Sequence, residues 1–165
     1  SPAGASVLAA AGFLRAGSRV ADAGSGAGLP GIPIALVHPT VSVDLVERSG
    51  RRAGFLRNAV AAVRAANARV VNLDVDRYEG PVDLIVHRAF LPLSAELVAT
   101  LSLALVPGGV ICAYKGRREA VDAELGRLEQ ECERGHGPGT TSVMPVDVPF
   151  LDEERHLVVI SPSVA

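Results

Sequence analysis

The sequence predicts an open α/β sheet of the nucleotide-binding type, and three observations support this prediction. Short apolar runs alternate with longer helical patterns along the chain, which favours parallel strands joined by helices. Residues 20–33 read VADAGSGAGLPGIP, a strand that ends in an acid, followed by a glycine-rich loop and the start of a helix. The last two apolar runs follow one another without a helix between them, which predicts an antiparallel hairpin at one edge of the sheet.

The first half of the chain is predicted to alternate helices and strands. An alanine-rich helix should end near Gly17, and the helix after the glycine loop should stop at Pro39 because proline cannot continue it. A longer arginine-rich helix should have an apolar face that runs through Phe55, Leu56, Val60 and Val63. The predicted ranges are helices at 1–17, 32–37 and 50–66, and strands at 19–23, 41–47 and 69–73.

The second half completes the sheet. A Pro-Gly-Gly turn should separate a helix from the fifth strand, and a glutamate-rich helix should face solvent. The predicted ranges are strands at 82–86 and 110–114, helices at 92–105 and 118–134, a turn at 107–109, a loop at 135–139, and hairpin strands at 141–148 and 156–160.

Composition limits the possible classes of protein. The 165 residues are 48% hydrophobic, so we expect one globular domain that spans residues 1–165. No apolar run has the length of a membrane span and no secretory signal begins the chain, which predicts a cytoplasmic protein with no membrane contact. Cys112 and Cys132 have no metal-type spacing and should be reduced thiols. A net charge of −2 gives no general attraction for nucleic acid. We also expect the protein to be a monomer.

The glycine loop is the candidate ligand site. Glycines at 24, 26, 28 and 31 let the backbone turn sharply and let a ligand contact main-chain atoms. The spacing from Gly26 through Gly28 to Gly31 matches the dinucleotide fingerprint. Pro30 and Pro33, however, lack the N–H groups that a pyrophosphate would need at the start of the helix.

S-adenosylmethionine carries no phosphate, so this loop suits it better than a dinucleotide. Asp22 could face its ammonium group, and Glu47, which closes the second strand, could take both ribose hydroxyls. NAD sites share that second acid, so Glu47 does not discriminate between the two cofactors. An NAD-linked oxidoreductase and a non-catalytic adenosine-binding module therefore remain alternatives.

Four stretches of the chain resemble one family, the bacterial small-subunit rRNA guanine-N7 methyltransferases (GidB/RsmG). They are DAGSGAGLPGIPIAL at 22–36, ERSGRRAGFLR at 47–57, DLIVHRAF at 83–90, and the pair AYKG at 113–116 with ERHLVVI at 154–160. The resemblance implies a class I S-adenosylmethionine-dependent methyltransferase sheet, which is Rossmann-like. It also implies methylation of a guanine N7 in 16S rRNA, with free rRNA or the small ribosomal subunit as the partner.

The resemblance also implies roles for individual residues. The methionine end of the cofactor would contact Gly24 and Leu29, its ribose Glu47, and its adenine the pair Val75 and Asp76. The transferred methyl group would lie beside Arg88, and the rRNA would face Lys115 and Arg155. We expect the wider cofactor site to comprise Asp22, Gly24, Gly26, Gly28, Leu29, Glu47, Val75, Asp76 and Arg88.

No general base and no metal are expected. The N7 lone pair of guanine is free, so its attack on a methyl group removes no proton. The four histidines show no ligand spacing, which disfavours a metal site. The arginines of the third helix are predicted to form a solvated face that adds diffuse attraction for phosphate; they are Arg51, Arg52, Arg57 and Arg64.

The chain departs from the family pattern at three places. Asp74 stands where an arginine is usual, and His87 stands where serine is common. Family members also have a longer helical segment before the first strand than the 18 residues found here. The chain is therefore expected to be a trimmed piece of a longer member or a shortened member.

Overall fold

The computed structural model describes residues 12–88, 91–132, 139–147 and 153–163. They form one seven-stranded sheet with the order β3-β2-β1-β4-β5-β7-β6. The strands are β1 (Arg19–Ala23), β2 (Ser42–Val46), β3 (Ala68–Val71), β4 (Val82–Arg88), β5 (Leu105–Lys115), β6 (Thr140–Pro145) and β7 (His156–Ser161). The first five strands pair in parallel, and β7 is antiparallel to both β5 and β6. The predicted mostly parallel sheet with an antiparallel edge is confirmed.

Helices cover both faces of the sheet. They are α1 (Gly31–Val37), α2 (Gly50–Ala62), α3 (Ala95–Ser102) and α4 (Arg118–Cys132), and a 3-10 turn spans Val75–Arg77. Helices α1 and α2 pack on the face that carries Val20 and Leu45, whereas α3 and α4 pack on the opposite face. None of the helices within the described ranges is both long enough and apolar enough to cross a membrane.

Most predicted elements lie within a few residues of those observed, and the clearest difference is at β5. The Pro-Gly-Gly sequence was predicted to be a turn before the strand, but β5 already begins at Leu105. Gly108 has a φ of +80°, and the pairing register with β4 shifts between Val82 and Leu84. A local irregularity within a long strand therefore replaces the expected turn. The predicted helix at 1–17 and loop at 135–139 fall mostly outside the described residues.

The apolar face predicted for α2 is buried at Leu56, but the prediction is wrong for Phe55 and Val63. Helix α2 ends at Ala62, and Arg64 adopts a φ of +54°, so the expected last turn of the helix does not form. The helix buries Ala53 and Leu56 against the sheet, while Phe55 is 55% exposed and Val63 is 43% exposed. The packed stripe is narrower than the apolar pattern suggested.

Candidate functional site

A cleft opens at the carboxyl ends of β1, β2 and β4, where open α/β sheets bind their ligands. Its volume of about 660 Å³ lies within the range of small-molecule sites. Most of the residues predicted from the sequence line it. They are Gly24, Gly26, Leu29, Glu47, Val75 and Arg88.

Gly28 was predicted to bind the cofactor, but it is a buried residue of the loop and not part of the cleft wall. Its φ is +85°, a conformation that favours glycine. A Cβ at this position would overlap the side chain of Ile32 and lie 3.2 Å from Leu56 Cδ2. Gly28 therefore allows the loop to pack closely on α1 and α2.

The loop has few backbone N–H groups to offer a phosphate. The N–H of Gly26 donates to Glu47 Oε2 at 3.0 Å, and that of Gly28 donates to the carbonyl of Ser25 at 2.7 Å. The N–H of Gly31 donates to Asp22 Oδ2 at 2.9 Å. These three donors are therefore used within the protein, and Pro30 has no N–H, so the loop offers a pyrophosphate fewer donors than its glycine spacing suggests. This geometry favours a ligand without phosphate.

Glu47 joins the loop to the start of α2. Its Oε1 accepts the N–H of Ser49 at 2.8 Å, and its Oε2 accepts the N–H of Gly26 at 3.0 Å. The residue is only 3% exposed, yet it contributes to the cleft wall. A carboxylate can accept about four hydrogen bonds, so acceptor capacity remains for the hydroxyls of a ribose. The site therefore fits an adenosine cofactor.

Asp22 lies under the loop and not in the cleft wall. Its Oδ2 accepts hydrogen bonds from Ser25 Oγ at 2.8 Å and from the Gly31 N–H at 2.9 Å. Its Oδ1 is buried and has no hydrogen-bond partner among the described residues. The predicted contact with a cofactor ammonium stays a prediction, while the observed role of Asp22 is to hold the loop against α1.

Burial raises the pKa of Asp22 to about 7, against the opposing effects of the Ser25 and Gly31 hydrogen bonds and the charge of Arg88. Since the unfolded chain loses this proton near pH 4, Asp22 contributes stability at low pH that is lost as the pH rises toward 7. We expect the free energy of unfolding of Asp22→Asn to rise, relative to that of wild type, by roughly 2–3 kcal/mol between pH 5 and pH 8. Urea unfolding of both proteins at the two pH values measures this shift.

The comparison uses the difference in free energy of unfolding between the two proteins, so the contributions of carboxylates that both proteins contain cancel. Asparagine is nearly isosteric with aspartate and retains one oxygen for the Ser25 and Gly31 hydrogen bonds. A free-energy difference that stays constant from pH 5 to pH 8 would contradict a raised pKa for this carboxyl.

The adenine-side pair predicted from the sequence is only half in place. Val75 lines the cleft, but Asp76 is exposed on the 3-10 turn and lies outside the cleft wall. Asp74 lines the cleft instead, and its side chain accepts the N–H of Val75 at 2.8 Å. The carboxylate at this edge of the site therefore comes from the residue that caps the turn. Such capping by aspartate is a sequence signal that could have identified Asp74.

Arg88 ends β4 with its side chain exposed at the cleft, as predicted. The preceding residue, His87, lies on the opposite face of the sheet and is fully buried. Burial, together with the charge of Lys115, lowers the pKa of His87 to about 3. Its imidazole is therefore neutral at any pH near 7.

Lys115 is enclosed and paired, and its predicted contact with rRNA stays a prediction. Its Nζ lies 2.8 Å from Glu124 Oε1, and the two side chains are only 13% and 12% exposed. The same Glu124 oxygen accepts the backbone N–H of Leu93, at the entrance to α3. Glu124 thus ties Lys115 to the loop before α3. Alternation along a strand cannot reveal a partner that comes from a distant helix.

Arg155 is half-exposed at 36% and lies directly before β7. Its guanidinium forms an ion pair with Glu153 Oε2 at 2.6 Å and donates to the carbonyl of Glu154 at 2.9 Å. The Arg155 charge in turn lowers the pKa of Glu153. Arg155 therefore remains accessible, but its charge is partly neutralised.

Nine of the lining residues were not predicted as site residues, and three of these lie at or near the start of α2. Arg48 follows β2, and Arg52 and Phe55 project from the first half of α2. Within the described ranges, no group of three or more His, Cys, Asp or Glu side chains is arranged to hold a metal ion.

Known structures share this fold. A SAM-dependent O-methyltransferase from Thermotoga maritima superposes with a TM-score of 0.72 at 17% identity, over 99% of this chain and 66% of that one. A precorrin-6y C5,15-methyltransferase from Geobacter metallireducens gives a TM-score of 0.71 at 16% identity, over 96% and 87% of the two chains. The predicted class I methyltransferase fold is confirmed.

Sequence relatives are more specific. The Ribosomal RNA small subunit methyltransferase G of Treponema pallidum is 43% identical over 86% of this chain and 62% of its own length. The protein of that name from Yersinia pseudotuberculosis is 37% identical over 87% of this chain and 67% of its own. The sequence model of the GidB family, rRNA small subunit methyltransferase G, matches residues 5–158. The chain therefore belongs to this family.

Proposed function

We propose that the chain binds S-adenosylmethionine in the cleft and directs its methyl group to the N7 of a guanine in 16S rRNA. The observation that carries the proposal is the combination of a nearly buried Glu47 with a loop in which the N–H groups of Gly26, Gly28 and Gly31 are already used. Family and fold both support S-adenosylmethionine as the cofactor. The chain spans 62% of the Treponema relative, whose name specifies ribosomal RNA of the small subunit.

Different residues of the cleft would contact different parts of the cofactor. Glu47 would accept the ribose hydroxyls, while Gly24 and Leu29 would contact the methionine end. On the adenine side, Val75 would provide apolar contact and the neighbouring Asp74 a carboxylate. Gly26 supports this arrangement through its hydrogen bond to Glu47.

The residues need only to place the reactants. When bound, S-adenosylmethionine supplies an electrophilic methyl group, and the N7 lone pair of guanine can accept it without losing a proton. Correct placement of two reactants can remove roughly 7–11 kcal/mol of a barrier. Arg88, the cation at the end of β4, would help to orient the reactants, and no side chain need act as a general base.

This mechanism predicts a rate that does not depend on pH near neutrality. We expect the single-turnover rate at saturating cofactor and RNA to be nearly flat from about pH 6 to 8, where a catalytic histidine would titrate. The buried His87 cannot supply such a titration because its pKa is about 3. Rapid-quench measurement of methyl transfer tests this, and a tenfold rise per pH unit would require a base and refute the proposal.

The main alternative, an NAD-linked oxidoreductase, is separated by cofactor binding. Calorimetry should show binding of S-adenosylmethionine and none of NADH, because the N–H groups of Gly26, Gly28 and Gly31 are used within the protein and Pro30 has none to offer a pyrophosphate. Tight NADH binding without S-adenosylmethionine binding would reverse the assignment.

Methyl transfer to RNA separates an enzyme from a non-catalytic adenosine-binding module. The chain is incubated with methyl-labelled S-adenosylmethionine and two acceptors, small ribosomal subunits and the rRNA extracted from them, both from cells that lack the gene. We expect labelled rRNA from one of the two. Cofactor binding without any label in RNA would favour the binding module.

A further inference from the structure

Positive charge is concentrated in one part of this weakly acidic chain. Residues 48–73 contain six arginines and no aspartate or glutamate, although the net charge of the whole protein is −2. The remainder of the chain is therefore net negative. Most of this segment is α2 with its flanking loops, so the charge lies on one layer of the molecule.

The first half of α2 brings this charge to the edge of the cleft. Arg48, Arg52 and Phe55 all line the cleft, while Arg51 is exposed beside them. Residues three and four apart are neighbours on a helix surface, so Phe55 lies next to both Arg51 and Arg52. An aromatic ring flanked by cations thus borders the cofactor site.

These arginines are available, whereas Lys115 is enclosed and Arg155 is paired with Glu153. Among the described residues, neither Arg51 nor Arg52 has an ion-pair partner. Arg48 approaches Asp74 at 3.8 Å, but its side chain is 75% exposed, and such surface pairs contribute little. Lys115, in contrast, is enclosed with Glu124.

Phe55 gives the surface a second property. The chain contains only four phenylalanines, and this one is 55% exposed although α2 has a buried side available for apolar residues. Exposed aromatic rings stack on the unpaired bases of single-stranded RNA, and flanking arginines bind the phosphates.

We propose that Arg48, Arg51, Arg52 and Phe55, the arginine–phenylalanine surface, receive the single-stranded RNA segment that presents the acceptor base. The arginines contact phosphates and Phe55 stacks on a base next to the cleft. This inference rests on the proposed function, because it assigns the RNA contact of that same activity.

The test uses single variants that spare the cofactor contacts described above. Affinity is measured by filter binding between 50 and 200 mM salt, with whichever RNA form accepts the methyl label. Arg51→Gln should reduce the slope of log affinity against log salt by roughly 0.7–0.9. Phe55→Leu should weaken RNA binding by roughly 5- to 150-fold with little change in slope, since stacking involves no counterion. Arg51→Gln, outside the cleft wall, should bind S-adenosylmethionine like wild type, and Phe55→Leu should lose more affinity for RNA than for the cofactor.

Arg127→Gln is the matched control, because it removes an equal exposed charge from α4 on the opposite face of the sheet. It should keep the RNA affinity and salt slope of wild type. The proposal is overturned if Arg51→Gln and Phe55→Leu bind RNA like wild type while wild type methylates it. It is also overturned if Phe55→Leu loses cofactor affinity but not RNA affinity. The same holds if its only effect is a change in the oligomeric state of the protein, measured by sedimentation. A wild-type chain that methylates neither RNA form instead defeats the proposed function itself.

Discussion

Replacement of Glu47 by alanine should weaken S-adenosylmethionine binding by roughly 10- to 150-fold, the value of charge-assisted hydrogen bonds to the ribose. The upper part of this range is expected because the change also removes the acceptor of the Gly26 and Ser49 N–H groups. The loop and the start of α2 would lose their common anchor. Titration calorimetry of the folded variant measures the effect.

Asp44→Ala on β2, the strand that ends just before Glu47, is the control for this variant. Asp44 accepts hydrogen bonds from Arg69 at 2.7 Å and from Tyr78 at 2.8 Å, away from the cleft. Its loss should reduce the free energy of unfolding but leave cofactor affinity unchanged. Equal losses of affinity in both variants would mean that Glu47 acts only through general stability.

The substitution Gly31→Ala should destabilise the fold by up to about 3 kcal/mol, the upper part of the usual range for overpacking. A Cβ at Gly31 would overlap the side chain of Leu45 and lie 2.7 Å from Asp22 Oδ2. The helix would have to move away from β1, which would also break the hydrogen bond from the Gly31 N–H to Asp22. Urea unfolding monitored by circular dichroism measures the loss.

The same change at Gly54 provides the contrast. Gly54 is in the interior of α2, and a Cβ there would meet no atom within 4 Å. Since glycine is less favourable than alanine in a helix, Gly54→Ala should stabilise the protein by roughly 0.5–1 kcal/mol. Destabilisation by Gly54→Ala, or none by Gly31→Ala, would contradict the packing described here.

The glycine loop could be predicted from sequence because its chemistry is local. An acid at a strand end, closely spaced glycines and a following helix occur within residues 20–33 and specify one turn of the chain. Glu47 was predictable for a related reason: it closes the adjacent parallel strand, and parallel strands end at the same edge of the sheet. Both features follow from topology without knowledge of packing.

Features that depend on packing between distant segments were predicted less well. Helical periodicity placed Phe55 with the buried residues, but the stripe that contacts the sheet is too narrow to include it. The strand-end position of Lys115 suggested an accessible cation, whereas Glu124 of α4 encloses it. The orientation of the Asp22 side chain could not be predicted from the sequence either, because it depends on a hydrogen bond from the Gly31 N–H at the start of α1.

The central claim, guanine methylation in 16S rRNA, is tested most directly by the identity of the modified nucleoside. Small ribosomal subunits and extracted rRNA from cells that lack the gene are treated with the chain and methyl-labelled S-adenosylmethionine. The rRNA is then digested to nucleosides and analysed by mass spectrometry, with Glu47→Ala as the low-activity control. Label in 7-methylguanosine from 16S rRNA, reduced in the control, is the predicted result. Label in another nucleoside, or in none, would contradict the account.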